Sequence, residues 1–199
     1  MIALIDACGS NLASVKFAFE RLGQEVCVTA NPELIQSAKY VVLPGVGQAA
    51  LGMQALQQKK LDVLIPRLTQ PVLGICLGMQ LLFEHSDEGN ADCLGIFPGR
   101  VRRFPQQPNL IVPHMGWNTL TFSSASHYLA EGLKSDDRVY FVHSFCAEVN
   151  DITVATNSYG REFAAIVQQD NFYGMQFHPE KSGQVGEQLL RNFLRGSVE

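Results

Sequence analysis

Short runs of continuous apolar residues alternate with amphipathic stretches in the first half of the chain, and this pattern strongly constrains the fold. A strand that is apolar throughout is usually buried on both faces, as in a parallel sheet covered by helices. The runs that predict such strands are residues 2–5, 25–29, 40–43 and 71–75. The sequence therefore predicts an α/β fold with a mostly parallel central sheet flanked by helices.

The stretches between these runs carry apolar residues at helical spacing, which predicts helices packed against the sheet. The first helix would be capped by Asn11 and would end before Gly23. Its predicted apolar face comprises Leu12, Val15, Phe17, Phe19 and Leu22. Two further helices are expected, one over residues 49–58 and one from residue 77 to about residue 85.

After Gly89 the pattern changes and short strands dominate. The predicted strands cover residues 100–104, 117–122, 138–145, 152–156, 163–168 and 172–177, and a last helix covers residues 184–194. This part of the chain predicts an antiparallel, strand-rich section added to the parallel sheet. Because no repeat, low-complexity tract or linker interrupts the chain, we expect a single domain over residues 1–199.

The composition argues against several classes of protein. A total of 15 basic against 19 acidic residues gives a net charge of −4, which disfavours nucleic acid as a partner. Since no apolar run is long enough for a membrane span or a signal peptide, we expect a cytoplasmic protein that does not bind a membrane. The 5 cysteines are widely spaced and form no Cys-x-x-Cys pair, which predicts neither a disulfide framework nor a metal site. We expect no cofactor.

The segment Gly74-Ile75-Cys76-Leu77-Gly78 places a cysteine where an apolar strand turns sharply into a helix. Glycines two residues to either side allow the tight backbone that lifts the sulfur clear of the sheet. A helix N-terminus favours the thiolate, which is the nucleophilic form, and the N–H of Leu77 would point at an oxyanion beside the sulfur. The alternative is a buried structural cysteine after a core strand.

A nucleophilic cysteine needs a base and a group that orients the base. The segment Phe177-His178-Pro179-Glu180 closes the last predicted strand, and in an extended chain His178 and Glu180 would project to the same side. A carboxylate on one ring nitrogen leaves the other nitrogen for a thiol. Because both segments lie at the carboxyl ends of predicted strands, we predict a triad of Cys76, His178 and Glu180. The alternative is a surface histidine beside a surface glutamate.

The segment Pro44-Gly45-Val46-Gly47 ends the third predicted strand and offers N–H groups for the second arm of an oxyanion hole. Together with Ala50 it also fits the dinucleotide fingerprint Gly-x-Gly-x-x-Gly/Ala. However, it follows a proline and lies outside the first strand–helix unit. It also lacks a well-placed acidic residue about twenty positions on, so we do not expect dinucleotide binding.

Three further polar positions lie where they could face the same site. Gln80 would lie one turn into the helix after Cys76, and His143-Ser144 ends an apolar strand at a predicted sheet edge. Without this context Gln80 would be a solvated helix residue, and His143 with Ser144 would cap the core. His114 is expected to pack a turn rather than to bind a ligand.

Together these residues resemble the triad-type, class I glutamine amidotransferases. That family carries its nucleophile in Gly-x-Cys-x-Gly and its base and orienting carboxylate in a late His-Pro-Glu. The resemblance runs from Ile2 to the last helix, so we expect no synthase domain in the same chain. The segment Pro113-His114-Met115-Gly116-Trp117-Asn118 is the most branch-specific feature, and it is similar to the branch that serves histidine biosynthesis.

The resemblance implies a mechanism. Cys76 would attack the side-chain amide of glutamine, His178 would pass the proton to the leaving ammonia, and Glu180 would hold the imidazole. Water would then hydrolyse the glutamyl thioester. The implied oxyanion hole consists of the backbone N–H groups of Val46, Gly47 and Leu77. The implied glutamine-binding residues are Gln80, Glu88, His143 and Ser144.

The resemblance also implies a partner. Ammonia would pass to a cyclase subunit of (β/α)8-barrel type in a heterodimer, and we expect low activity when that partner is missing. A peptide flip at Val46–Gly47 would complete the oxyanion hole, since glycine tolerates the change in φ. The alternatives are a branch serving anthranilate, guanylate or pyridoxal phosphate synthesis, a cysteine peptidase or chaperone of similar fold, and a non-catalytic binding subunit.

Overall fold

An eight-stranded sheet runs through the computed structural model, which describes residues 1–7, 9, 12–124 and 126–196. Its five parallel strands, from the edge inwards, are β2 (Val26–Thr29), β1 (Ile2–Ile5), β3 (Tyr40–Gly45), β4 (Val72–Cys76) and β14 (Phe172–Met175). Three antiparallel strands continue it, namely β13 (Arg161–Gln169), β12 (Thr153–Tyr159) and β9 (Thr121–Phe122). The predicted α/β fold with an added antiparallel section is confirmed.

Helices cover both faces of this sheet, as the apolar runs predicted. On one face lie α2 (Pro32–Ser37), α3 (Ala49–Gln58) and α4 (Leu61–Leu64), with a 3-10 turn at Ile65–Arg67. On the other lie α1 (Leu12–Arg21) and α6 (Gly183–Gly196). The side chains of β1 alternate between the two cores and are all fully buried, because the strand is covered on both sides.

Two smaller sheets extend these cores. A four-stranded sheet contains β11 (Phe145–Ala147), β7 (Phe97–Arg103), β5 (Phe83–Ser86) and β6 (Ala91–Asp92). A separate antiparallel pair contains β8 (His114–Thr119) and β10 (Arg138–His143). Phe83 and Phe97 join the core beside α3, whereas Phe141 joins the core beside α6.

The predicted helix from residue 77 to about residue 85 is wrong beyond its first turn. Helix α5 covers only Leu77–Gln80, and the chain then enters β5. Within β5 Phe83 and Ser86 are buried, Glu84 is exposed and His85 is half-buried, so burial alone does not distinguish a strand from a helix here. Parallel pairing with β7 supplies the backbone hydrogen bonds that a longer helix would have made.

Other boundaries differ in ways that have physical causes. Phe17 was predicted on the buried face of α1 but is 56% exposed, and the residues of α1 that are buried are Val15, Ala18 and Phe19. The predicted strand over residues 138–145 divides into β10 and β11 at Ser144, because the chain changes sheets there. Helices α2 and α4 were not predicted. The proposed cap Asn11 lies outside the described residues.

The sheet brings three strand ends together. Strands β3 and β4 pair in parallel as far as Gly45 and Cys76, and β14 pairs with β4 as far as Met175 and Ile75. The segments that follow these strands therefore meet at one edge, where open α/β sheets place their sites. In the part of the chain described, no helix is long and apolar enough to cross a membrane.

Candidate active site

Cys76 lies on the sharp turn that joins β4 to α5. Its backbone φ of 54° and ψ of −112° fall in a region that residues with a side chain rarely adopt. The flanking glycines make this turn sterically allowed. A Cβ at Gly74 would lie 2.7 Å from the carbonyl oxygen of Gly78, and a Cβ at Gly78 would lie 1.7 Å from the carbonyl oxygen of Leu43. The strand–turn–helix geometry that the glycine spacing predicted is present.

His178 and Glu180 form a buried ion pair beside this turn. The distance from His178 Nδ1 to Glu180 Oε1 is 2.8 Å, and the two side chains are only 5% and 3% exposed. Their segment is not extended as predicted, because Pro179–Lys181 forms a 3-10 turn. Proline disfavours helix at the residue before it but suits the first position of a helical turn, so His178 is extended and the turn begins after it.

The backbone of His178 is anchored to the neighbouring strand β10. The N–H of His178 donates to the carbonyl oxygen of Tyr140 at 2.9 Å. The hydroxyl of Ser182 donates to the carbonyl oxygen of His178 at 2.6 Å and accepts the N–H of Tyr140 at 2.9 Å. These bonds fix the imidazole relative to β10, and they show that Ser182 supports the site although sequence reasoning did not single it out.

The charge state of His178 is set by its neighbours. Burial disfavours the charged imidazole, but the interactions with Cys76 and Glu180 outweigh it and raise the pKa of His178 to about 9. Because Nδ1 is occupied by Glu180, the nitrogen left for proton transfer is Nε2. Among the described residues Nε2 has no conventional hydrogen-bond partner, although it is buried. Cys76 and Glu180 thus favour the imidazolium form of His178 at neutral pH.

A cavity of about 370 Å³ opens between these groups, within the size range of small-molecule sites. It is lined by all the predicted site residues except Glu180, namely Val46, Gly47, Cys76, Leu77, Gln80, Glu88, His143, Ser144 and His178. Glu180 lies behind His178, as expected for a group that orients the ring. No set of three or more histidine, cysteine or acidic side chains that could hold a metal ion occurs in the described residues.

The loop that begins at Val46 follows β3 directly beside Cys76. Gly45, the last residue of β3, is in register with Cys76. Gly47 has a φ of 100°, which favours glycine. The backbone of this loop and that of Leu77 therefore flank the sulfur, so that the predicted oxyanion-hole groups share one cavity.

Besides lining the cavity, Glu88 makes a hydrogen bond that the sequence did not predict. Its Oε2 accepts the N–H of Ala49 at 3.1 Å, so the carboxylate caps helix α3 directly after the loop at Val46. Burial raises the pKa of Glu88, and this hydrogen bond offsets part of that effect. Glu88 therefore lines the cavity and also helps to hold the end of the loop that begins at Val46.

His143 lines the cavity, but the protein already uses both of its ring nitrogens. Nδ1 lies 2.8 Å from the carbonyl oxygen of Phe145, which can only accept, so Nδ1 carries the proton. Nε2 then accepts from Nδ1 of His114 at 3.1 Å. Burial is the main reason that the pKa of His143 falls to about 3 and that of His114 to about 4. Contact between His143 and a ligand would therefore involve its backbone rather than its ring nitrogens.

Gln176 is the site residue that sequence reasoning missed most clearly. Its side chain is fully buried and lies between Gln80 and Cys76. The Nε2 group of Gln80 donates both to Gln176 Oε1 at 2.9 Å and to the carbonyl oxygen of Phe145 at 3.0 Å. A polar residue at the end of an apolar strand was the signal available in the sequence.

Comparison with known proteins places this geometry in a family. The model of the class-I glutamine amidotransferase family matches residues 3–196. The chain is 52% identical over 194 residues to the imidazole glycerol phosphate synthase subunit HisH 2 of Legionella pneumophila (strain Paris), covering 98% of this chain and 97% of the relative. It is 50% identical over 194 residues to the HisH subunit of Bacteroides thetaiotaomicron, covering 97% and 98% respectively.

Solved structures share the fold at much lower identity. A crystal structure of a glutamine amidotransferase superposes with a TM-score of 0.77 at 18% identity, covering 100% of this chain and 99% of that one. A glutamine amidotransferase from Thermotoga maritima gives a TM-score of 0.72 at 18% identity, covering 100% and 97%. This chain belongs to the class-I glutamine amidotransferase family.

We predict that Gly78→Ala destabilises the protein, because the added methyl group would collide with the backbone of Leu43 rather than with a movable side chain. Overpacking of this kind costs roughly 1–3 kcal/mol or more in the free energy of unfolding. Urea denaturation measures the change. Gly52→Ala is the matched control, since its methyl group would meet only side-chain atoms, at 3.0 Å or more. Equal stability of the two variants would contradict the prediction.

We also predict that Glu180→Gln lowers the pKa of His178 from about 9, because a neutral amide stabilises the imidazolium less than a carboxylate does. A raised pKa in the folded protein adds stability that is complete below the unfolded value of about 6.5 and is lost as pH rises through about 9. The free energy of unfolding should therefore fall less over this interval in the variant. NMR titration of the imidazole checks the pKa directly, and an unchanged titration would contradict the prediction.

Proposed function

We propose that this chain is the glutaminase subunit of an imidazole glycerol phosphate synthase, which releases ammonia from glutamine for a cyclase subunit in histidine biosynthesis. The observation that carries the proposal is a cavity lined by Cys76 and His178, with Glu180 buried behind His178 and paired with its ring. The family match and HisH relatives that are about half identical over nearly the whole chain support it. The single glutaminase domain that we propose over residues 1–199 is supported by the family match, which covers residues 3–196.

The reaction begins at the sulfur of Cys76. The thiolate attacks the carboxamide carbon of glutamine, and the negative charge moves to the carbonyl oxygen. His178 then gives its Nε2 proton to the amide nitrogen, the C–N bond breaks, and ammonia leaves a glutamyl thioester. Water attacks the thioester while His178 takes one of its protons. The C–S bond breaks, the thiolate with its imidazolium is restored, and the product becomes glutamate as its new carboxyl group loses its proton to water.

Glu180 and the loop at Val46 stabilise charge during these steps. Glu180 holds Nδ1 at 2.8 Å, so that the proton in transit stays on Nε2. The N–H groups of Leu77 and of Val46 and Gly47 bind the oxyanion. A flip of the peptide between Val46 and Gly47 turns the second N–H group of the oxyanion hole toward the oxyanion. The change in φ costs little at Gly47, because glycine adopts positive φ values such as the observed 100° without strain.

The polar groups that line the cavity bind the α-ammonium and α-carboxylate groups of glutamine. Both hydrogens of Gln80 Nε2 are engaged within the protein, which leaves Gln80 Oε1 to accept from the α-ammonium group. The Glu88 oxygen that does not cap α3 binds the same ammonium. The hydroxyl of Ser144 and the backbone next to His143 bind the α-carboxylate.

The partner is a cyclase subunit of (β/α)8-barrel type, and the two chains form a heterodimer. The face of this chain that docks the partner includes Met115 and Trp117 of β8, which are 62% and 51% exposed. The inner side of the same strand carries His114, which is buried against the site. Because the carbonyl oxygen of Tyr140 accepts the N–H of His178, a partner pressing on this strand pair reaches the base of the triad through two hydrogen-bonded strands.

The first test is glutamate release from glutamine by the purified chain, first by itself and then with the cyclase partner and the partner's nucleotide ligand. We expect low activity without the partner, strong activation by the liganded partner, and a loss of at least about a thousandfold in Cys76→Ala. Cys93→Ala is the control, since Cys93 is a half-buried thiol that does not line the cavity. Full turnover without the partner would overturn the partner assignment, and an active Cys76→Ala variant would overturn the mechanism.

The second test concerns docking. Trp117→Ala should weaken binding of the cyclase subunit more than about tenfold, because exposed tryptophans at interfaces commonly contribute a large share of the binding energy. Isothermal titration calorimetry measures the affinity. Phe17→Ala is the matched control, since Phe17 is similarly exposed at 56% but lies on α1. Equal weakening by both substitutions, or by neither, would place the docking face elsewhere.

A further inference from the structure

The side chain of Gln176 is fully buried next to the nucleophile. It directly follows β14 and precedes His178 by two residues, and its own backbone N–H donates to the carbonyl oxygen of Ala165 at 2.9 Å. Burying an amide is unfavourable unless its polar atoms are hydrogen-bonded. Both ends of this amide are bonded, one to Gln80 and the other to Cys76.

The direction of these hydrogen bonds follows from one backbone carbonyl. The Phe145 oxygen can only accept, so the Gln80 amide must turn its nitrogen toward it, at 3.0 Å. The second hydrogen of that nitrogen points to Gln176, which must therefore present its oxygen, at 2.9 Å. The nitrogen of Gln176 is then left facing Cys76 Sγ at 3.9 Å. The amide cannot turn round without losing the bond to Gln80.

We propose that Gln176 is a positioning residue that holds Cys76 as a thiolate and links the bound glutamine to the nucleophile through Gln80. This inference rests on the proposed function, in which Cys76 is the nucleophile and Gln80 contacts the substrate. The groups form a chain from the carbonyl of Phe145 through Gln80 and Gln176 to the sulfur. Gln176 does not touch the substrate.

The two protonation states of the sulfur have different partners. A thiol can donate to the carbonyl oxygen of Val142, which lies 4.0 Å from Sγ. A thiolate cannot donate, but it can still accept the N–H of Gln176. A hydrogen bond to the charged form favours that form, so Gln176 shifts the balance away from the Val142 contact and toward the thiolate.

The chain of hydrogen bonds also couples recognition to reactivity. In the proposed complex the α-ammonium group of glutamine binds Gln80 Oε1, which polarises the Gln80 amide and makes its N–H groups stronger donors. A stronger bond to Gln176 Oε1 in turn strengthens the N–H that faces the sulfur. Substrate binding at one end of the chain therefore stabilises the thiolate at the other.

The test measures the thiolate directly, without turnover. Alkylation of Cys76 by iodoacetamide is followed by mass spectrometry over a range of pH, with the complete chain and without glutamine. The variants are Gln176→Met, which removes the donor, and Gln176→Asn, whose amide is one methylene too short to reach both Gln80 and Cys76. Gln168→Met is the matched control, since Gln168 is a half-buried glutamine on β13 that does not line the cavity.

Both Gln176 variants should alkylate about tenfold more slowly below the pH midpoint, with that midpoint raised by about one unit, because the thiolate fraction falls. The control should match the parent chain. The titratable groups around the sulfur are His178, His143 and Glu88, with Glu180 behind His178, and they are unchanged in every variant. In glutaminase assays with the partner, kcat should fall because the thiolate fraction falls, and kcat/KM should fall at least as much because the coupled contact of Gln80 with the α-ammonium group weakens too.

Several results would overturn the inference. Unchanged alkylation profiles in folded Gln176→Met and Gln176→Asn would do so, as would an equal shift in Gln168→Met. If Gln176→Met does not fold, the Asn variant alone decides. Failure of the proposed function looks different, because the parent chain would then release no glutamate from glutamine even with the liganded partner, whatever the alkylation profiles show.

Discussion

The turn at Cys76 is pressed against the backbone of β3, and the rest of the site depends on this contact. Only a glycine fits at position 78, since a Cβ there would lie 1.7 Å from the carbonyl oxygen of Leu43. The contact and the register of Gly45 with Cys76 fix the start of the loop at Val46 beside the sulfur. The sheet therefore fixes the position of the nucleophile relative to the start of this loop.

The groups around the cavity are pushed toward opposite charge states although they lie close together. His178 is stabilised as an imidazolium by Cys76 and Glu180, whereas His143 and His114 are held neutral mainly by burial. Such divergence assigns separate roles to residues of one type. In the proposed reaction one histidine moves protons, and the other two hold the wall of the cavity in place.

The sequence predicted the elements that have a local pattern and missed the contacts that depend on strand register. The strands β1 and β4 and the glycine-flanked turn were predictable, because each has a local sequence signal. Burial on two faces gives a continuous apolar run, and the tight turn requires glycines on either side of Cys76. Helix α5 was predicted too long, since the apolar residues after Gln80 suit a buried strand as well as a helix. The contacts of Gln176 and of the His114–His143 pair depend on strand register, which no local pattern encodes.

The neutral histidine pair has a consequence for the product of the proposed reaction. Ammonia can act as a nucleophile elsewhere only if it leaves the site unprotonated. The cavity wall formed by His143 is not an acid at neutral pH, because its pKa lies at about 3 and its one ring proton is committed to the carbonyl of Phe145. In the proposed reaction this pair therefore supplies no proton to the nitrogen released at Cys76, and proton exchange with that nitrogen is left to His178.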